Sequence, residues 1–429
     1  MSISSAGPGG PGGVCGGEVG LDQPSARPQS HRYVVGCFLL LLVGLYLTMG
    51  PSLRLSEWCV REDMNPSLTE ALCWKQGQLA LPGKGADTAW YNGKWYSVHP
   101  PLFTLMSLAA TTLGRLMDLP GNEFYAPWYV LTVVLPLPLV GFWAFQQVTR
   151  RAEWSALLIA YWLIGTPMFP QLMGCRAGVI NAVNHMLSAV GLMLIAGDLL
   201  GRQRIWPAAI GLIVVVWSRP NLVFFGLAVL FVAWMAQRRW RSLLTVGAAL
   251  AVSVGTLMTL NWLKFGSPFD SGYRYIYVDR ENGWLGHRAL TYGLFSPHFV
   301  AEKAWSMNLA PPQFRLARGQ IVPENTDAGV SIWMTSPLLL GAFIGLRHWW
   351  KVKAARALML SSLPVIGAFL AYHGRGAMTV GYFTYALDFL PVWLVVIAPW
   401  AVEGWRRWFT LGCLAYSALY FNVLAQAYP

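Results

Sequence analysis

Charge is scarce in this 429-residue chain: 12% of its residues are Asp, Glu, Lys or Arg, where a soluble domain carries roughly a quarter. Acids are the rarer sign, 19 against 31 Lys and Arg. Together with 55% hydrophobic residues and a mean hydropathy of +0.45, this excludes an ordinary soluble domain. The six cysteines form no Cys-x-x-Cys and the seven histidines no His-Glu-x-x-His, so no metal constellation is expected. A Walker loop is also missing, which argues against direct coupling to nucleotide hydrolysis. The net charge of +12 is spread in short clusters between apolar runs, which are topology signals and no nucleic-acid face.

What is present is a series of apolar runs from Tyr33 to the C-terminus. They predict an all-α fold, a polytopic helical membrane protein of the cell membrane with membrane lipids as its surroundings. Residues 1–31, rich in Gly, Pro and Ser, read as a disordered cytoplasmic tail. Residues 32–429 read as a single transmembrane domain with exoplasmic loops at 51–124 and 264–330. Tyr33 to Gly50 is expected to be an uncleaved anchor, since no clean small-x-small site follows it. The clusters at Arg150 and Arg151, Arg202 and Arg204, Arg238 to Arg241, Arg347 to Arg356, and Arg406 with Arg407 should be cytoplasmic. That orientation places Leu102 to Met117 along the outer interface as a juxtamembrane helix, because a full crossing there would put Arg150 outside.

The remaining spans run Tyr125 to Val148, Trp154 to Leu172, Ile180 to Leu200, Trp206 to Trp217, Pro220 to Met235, Leu243 to Leu263, Ser331 to Leu346, Ala357 to Tyr372, Tyr382 to Val402 and Phe409 to Ala425. With the anchor they make about eleven. The two short segments around Ser218 and Arg219 read as a pair meeting near the outer face, although one long helix kinked at Pro220 is the alternative.

Loop acids and aromatics collect between Asp63 and Pro101, the expected place for chemistry. Asp63 stands eight residues before Ala71, and Gly77 closes that phrase. GKWYSVHPP follows at Gly93, then WSRPNL at Trp217, FGSPFDSGY at Phe265, SPLLL at Ser336 and YALDFLP at Tyr385. In order and spacing these phrases resemble the GT-C class of membrane glycosyltransferases, which includes protein mannosyltransferases and the aminoarabinose transferase of lipid A. The resemblance covers the chain from Tyr33 to about Val402. It implies transfer of a sugar from a polyprenyl-phosphate-linked donor to a hydroxyl of a glycan, lipid or protein acceptor, at an exoplasmic site, with inversion by an Asp general base. The chain departs from the pattern in three places. Met64 follows Asp63 where a second acid is common, residues 174 to 185 hold no acid, and Thr384 stands four before Asp388 where Arg is frequent.

Such a transfer needs a base, charge stabilisation for the departing phosphate and a cavity at the membrane surface. Asp63 is the expected base and Glu62 its competitor. Asp87 belongs to the same loop and reads first as a turn acid. Arg219, in apolar surroundings at a helix junction, is the expected phosphate contact. Arg176 and His185 frame the second exoplasmic loop and can extend an electropositive pocket. Lys94, Tyr96 and His99 lie where the first loop returns to the membrane, and Arg274 belongs to the long loop that can cap the cavity. Asp388, inside an apolar run, needs a partner such as Arg375 and reads as structural. No cofactor is required; a divalent cation would have to sit on Asp63, Glu62 and phosphate oxygens. Cys59 and Cys73 share the first loop, where a bridge would brace the segment. A transporter or lipid-handling protein would carry many spans and buried charges too, but no internal repeat is visible. A non-catalytic scaffold of envelope assembly is the third reading.

Overall fold

A computed structural model describes residues 66–85, 87–116, 128–175, 180–236, 239–277, 283–317, 320–323, 329–374 and 382–427. The expected tail, the Tyr33 to Gly50 anchor, Glu62, Asp63, Cys59, Arg176 and Arg375 lie outside the described residues.

The described chain is mostly helical. It opens with α1 (Pro66–Lys75), an antiparallel hairpin β1 (Thr88–Tyr91) and β2 (Lys94–Ser97), and α2 (Pro101–Leu116). A π turn (Val130–Val134) leads into α3 (Pro136–Thr149), followed by α4 (Ala152–Ile164), α5 (Met168–Cys175), α6 (Ile180–Leu200) and α7 (Trp206–Ser218). A 3-10 turn (Pro220–Phe224) opens α8 (Phe225–Met235), and α9 (Arg239–Phe265) returns to the outer loops. Those loops hold a 3-10 turn (Tyr273–Ile276), α10 (Trp284–Tyr292), α11 (Val300–Asn308) and a second hairpin, β3 (Phe314–Ala317) with β4 (Gln320–Pro323). Short turns α12 (Ile332–Thr335), α13 (Gly341–Ile344) and α14 (Leu346–Trp349) precede α15 (Lys353–Ala371). A 3-10 turn (Thr384–Asp388), α16 (Leu390–Ala401) and α17 (Arg406–Ala427) end the fold.

Four helical stretches are long and apolar enough to cross a membrane: Val130–Thr149, Asn181–Leu200, Arg239–Phe265 and Lys353–Ala371. The protein is therefore a helical membrane protein by composition and length. The central one is α6, 89% of whose apolar window is buried inside the protein, against 17% for α9. Apolar side chains of α9 such as Leu244 and Trp262 point outward, the arrangement expected where the solvent is lipid. Close packing on α6 is set by glycine. A Cβ on Gly191 would lie 2.7 Å from the Gly211 carbonyl oxygen of α7, and one on Gly197 would lie 2.8 Å from the Ala144 Cα of α3. Two helix backbones thus approach α6 where no side chain intervenes.

Several runs expected as single spans are broken. The run from Trp154 stops at Gly165, because Pro167 has no N–H for the ladder and Thr166 turns its hydroxyl back onto the Trp162 carbonyl. The run from Ser331 becomes short turns punctuated by Pro337, Gly341 and Gly345, and the run from Tyr382 starts as a 3-10 turn before Pro391 allows α16. The two segments around Arg219 form a folded-back pair. A Cβ on Gly226 would lie 3.6 Å from Leu212 Cδ1, whereas a continuous helix would hold those positions roughly 21 Å apart. Arg219 itself is extended (φ −148°, ψ 90°), as the residue before a proline prefers.

The two outer loops share a second hydrophobic core. Ala89, Tyr96 and Val98 of the first loop pack with Phe265, Ile276, Tyr277 and Ala289 of the second. α2 packs on the main core instead: Phe103 and Ala110 belong to it, and with Ser107 and Gly114 they fall on one face at helical spacing. Cys73 is buried and forms no disulfide among the described residues; Cys59, its expected partner, lies outside them.

The glycine contact on α6 has a measurable consequence. Gly191→Val should lower the midpoint of thermal unfolding in detergent, by about 1–3 kcal/mol of stability. Gly247→Ala, at a position with no neighbour within 4 Å, is the control and should leave it unchanged. Equal midpoints for Gly191→Val and the parent would show that the two backbones are not in contact there.

Candidate active site

Asp388 ends the 3-10 turn before α16 and is fully buried. Two elements from elsewhere in the chain bring it partners. His185, one turn into α6, places Nδ1 2.9 Å from Oδ1. Arg219, at the α7 junction, donates from Nε at 3.0 Å and from Nη2 at 2.8 Å, both to Oδ2. Asn221 adds a longer contact at 3.4 Å. The expected partner Arg375 is outside the described residues, and Arg219 takes that place. Arg219 is therefore no isolated cation awaiting phosphate; half of its donor fork is already committed. Among the described residues Nη1 has no hydrogen-bond partner, and the Phe369 and Tyr385 rings lie 5.9 Å from the guanidinium carbon.

The first loop closes over this hub. Asp87, at a left-handed turn position (φ 49°), is reached by the Asn181 amide at 3.5 Å. Asn181 and His185 are four residues apart on α6 and so share a face, which sets Asp87 about one helical turn above the hub. His99 is buried, and its Nε2 has no hydrogen-bond partner. Burial is the main cause that holds its pKa down to about 4; Asp87 opposes the shift, and Lys264 and Arg219 add to it. The Tyr273 phenol is pushed up by burial, against the pull of Arg219 and with a further push from Asp87. His99, Asp87, Tyr273 and Arg219 thus act on one another across a single site.

A second buried pair anchors the loop. Lys264, at the end of α9, lies 2.5 Å from Glu70 Oε1 of α1 and donates to the Ser97 carbonyl at 3.0 Å. Thr104 donates to the other Glu70 oxygen at 2.8 Å. The short Glu70–Lys264 approach satisfies that oxygen as an ion pair even though its angle is poor for a hydrogen bond.

Of the residues singled out from sequence, Asp87, His99, His185 and Arg219 come together. Lys94 is exposed at the start of β2. Tyr96 packs its ring 5.7 Å from Phe265 in the outer core, a structural role. Arg274 is 66% exposed and tied to Asp270 at 2.6 Å, away from the hub. Sequence reading missed Glu70 and Lys264, whose only signal was an acid and a base at the edges of apolar runs. It also missed the outer group in which Arg288 donates to Glu302 and to the His373 carbonyl, and Lys303 donates to the Gly374 carbonyl. Among the described residues no cluster of three His, Cys, Asp or Glu side chains forms.

No protein-family model matches the chain, and no curated protein or solved structure matches it either. Its function must be argued from this geometry.

The neutral His99 predicts an acid limit to stability. A pKa near 4 in the fold lies below the ordinary 6.5, so the unfolded chain binds the extra proton first. The stabilising contribution is complete above about pH 6.5 and is lost as pH falls towards 4. His99→Asn should show a shallower loss of thermal midpoint across that window than the parent. Parallel curves for the two proteins would refute a buried neutral imidazole at this position.

Proposed function

We propose that this chain is a polytopic membrane glycosyltransferase that moves a sugar from a polyprenyl-phosphate donor to a hydroxyl of an envelope glycan, lipid or protein, with inversion. The observation that carries this reading is the state of Arg219. It is a largely buried guanidinium held in fixed orientation by Asp388 through Nε and Nη2, with Nη1 unpartnered among the described residues, and its charge acts on His99 and Tyr273. A phosphate oxygen meets such a group without reorganising it, which is how preorganised charge stabilises a leaving group. In the transfer the acceptor hydroxyl loses its proton to a base, its oxygen bonds to the anomeric carbon, and the carbon–oxygen bond to phosphate breaks. Arg219 then faces the additional charge on the lipid phosphate. The loop acids Asp63 and Glu62 are the bases that the resemblance implies. Asp87 is the acid held beside the site.

The proposal includes the topology. The N-terminus is cytoplasmic, about eleven spans cross the cell membrane, α2 lies along the outer interface, and the site is exoplasmic. The folded-back pair at Arg219 supports this, since it returns the chain to the same side between two basic clusters. A Cys introduced at Gly93 should label with an impermeant reagent from outside intact cells, and one at Glu153 should not. Outside labelling at Glu153 would reverse the assignment.

The chemical test is a transfer assay on membranes with a panel of radiolabelled polyprenyl-phosphate sugars. Asp63→Asn should reduce turnover by roughly a hundredfold if that acid is the base. Arg219→Lys keeps a cation for Asp388 but loses the planar fork, so donor affinity should fall roughly tenfold or more while the thermal midpoint stays close to the parent. Undiminished donor affinity in Arg219→Lys would remove the phosphate role.

A further inference from the structure

Asp388 does more than neutralise Arg219. Among the described residues its Oδ1 meets His185 Nδ1 alone, and its Oδ2 accepts from Arg219 and Asn221. A carboxylate offers no proton, so the imidazole nitrogen facing it must carry one. In the neutral ring that fixes the tautomer: Nδ1 bears the hydrogen and Nε2 bears the lone pair. Among the described residues no hydrogen-bond partner stands against Nε2. A carboxylate that orients a neutral imidazole, with the far nitrogen left free, is the arrangement from which a histidine takes a proton from a hydroxyl. We propose that His185 is the proton acceptor for the incoming hydroxyl, with Asp388 as its positioning residue.

This rests on the transferase reading and moves the base from the loop acids to a side chain of α6. The step balances. The acceptor O–H bond breaks, its proton goes to His185 Nε2, the oxygen bonds to the anomeric carbon, and the lipid phosphate leaves with the electron pair of the broken bond. The imidazolium so formed is stabilised by Asp388. Asn181, on the same face of α6, reaches Asp87 of the first loop one turn away, so the loop lies beside the dyad. The charged groups that act on His185 are Arg219 from the α7 junction and Asp388 from the turn before α16. Tyr385, on Asp388's own turn, acts on the same pair. One cation and one anion cancel at close range, so the imidazole is not held protonated by a net negative charge.

The experiment uses the full chain in membranes, with the radiolabelled polyprenyl-phosphate sugar that the parent accepts. His185→Gln leaves the Arg219–Asp388 pair intact, and it should lower turnover roughly a hundredfold with donor affinity and thermal midpoint close to the parent. The fall in activity on the acid side of the pH profile should disappear with it. Asp388→Asn should impair turnover as well, because an amide can donate to Nδ1 and reverse the tautomer. That variant leaves Arg219 unpaired and can lose the fold, so His185→Ala with added imidazole is the independent readout. Restored turnover on adding imidazole supports the assignment, since a packing role would not be rescued by a free base. Full turnover and an unchanged pH profile in His185→Gln, with Asp63→Asn dead, would overturn the dyad and leave the transferase standing. No transfer by the parent from any donor in the panel would overturn both.

Discussion

A carboxylate buried in an apolar helical bundle must be compensated, and the placing of Asp388 follows from that. Removing an ion from water costs several kcal/mol even after relaxation, so the native arrangement persists only if partners converge on it. Arg219 and His185 supply them from two other segments. The extended backbone at Arg219, enforced by the proline that follows, is what lets the guanidinium turn back on the bundle without continuing either helix. The same junction makes α7 and α8 a folded-back pair. One electrostatic requirement thus ties the start of α16, the first turn of α6 and the α7 junction into one unit.

The cap repeats the device on a smaller scale. Glu70 of α1 and Lys264 of α9 are both buried, and each also meets the first loop or α2 through Ser97 and Thr104. An ion pair of this kind adds little net stability over apolar packing, but removing one partner leaves the other unpaired. It therefore specifies which segments meet. Here it fixes the return of the first loop against the end of α9, where the outer core of Tyr96, Phe265 and Ile276 begins. Lys264 also acts on His99, so the clasp and the site share an electrostatic environment.

Composition and the length of the apolar runs made the helical membrane class legible, and α6, α9 and α15 fall close to the expected runs because each is long and apolar, α15 continuing past Pro364. The runs at Trp154 and Ser331 misled because hydropathy counts apolar side chains and does not weigh the Gly and Pro that stop the backbone ladder. Arg219 and His185 were legible as polar residues in costly surroundings. Their common partner was not. Asp388 is 169 residues from Arg219 and 203 from His185, and no local pattern links positions so far apart. Arg375, the partner named from sequence, lies outside the described residues. Tyr96, placed from sequence where the first loop returns to the membrane, packs its ring on Phe265 of the other loop, a contact that no local pattern announces.

The division of labour on Asp388 bears on how one buried acid serves an imidazole and a guanidinium together. If only Arg219 faced the carboxylate, the pair would be a closed ion pair with no basic group beside it. If only His185 did, the uncompensated carboxylate would draw a proton onto the ring and abolish its lone pair. With both present, Arg219 takes the charge on Oδ2 while His185 takes the direction of Oδ1. The carboxylate can then orient the ring without protonating it. A site that must stabilise a leaving phosphate and accept a proton needs both functions within a few ångströms, and one buried acid shared between two partners is a compact way to hold them apart in charge and together in space.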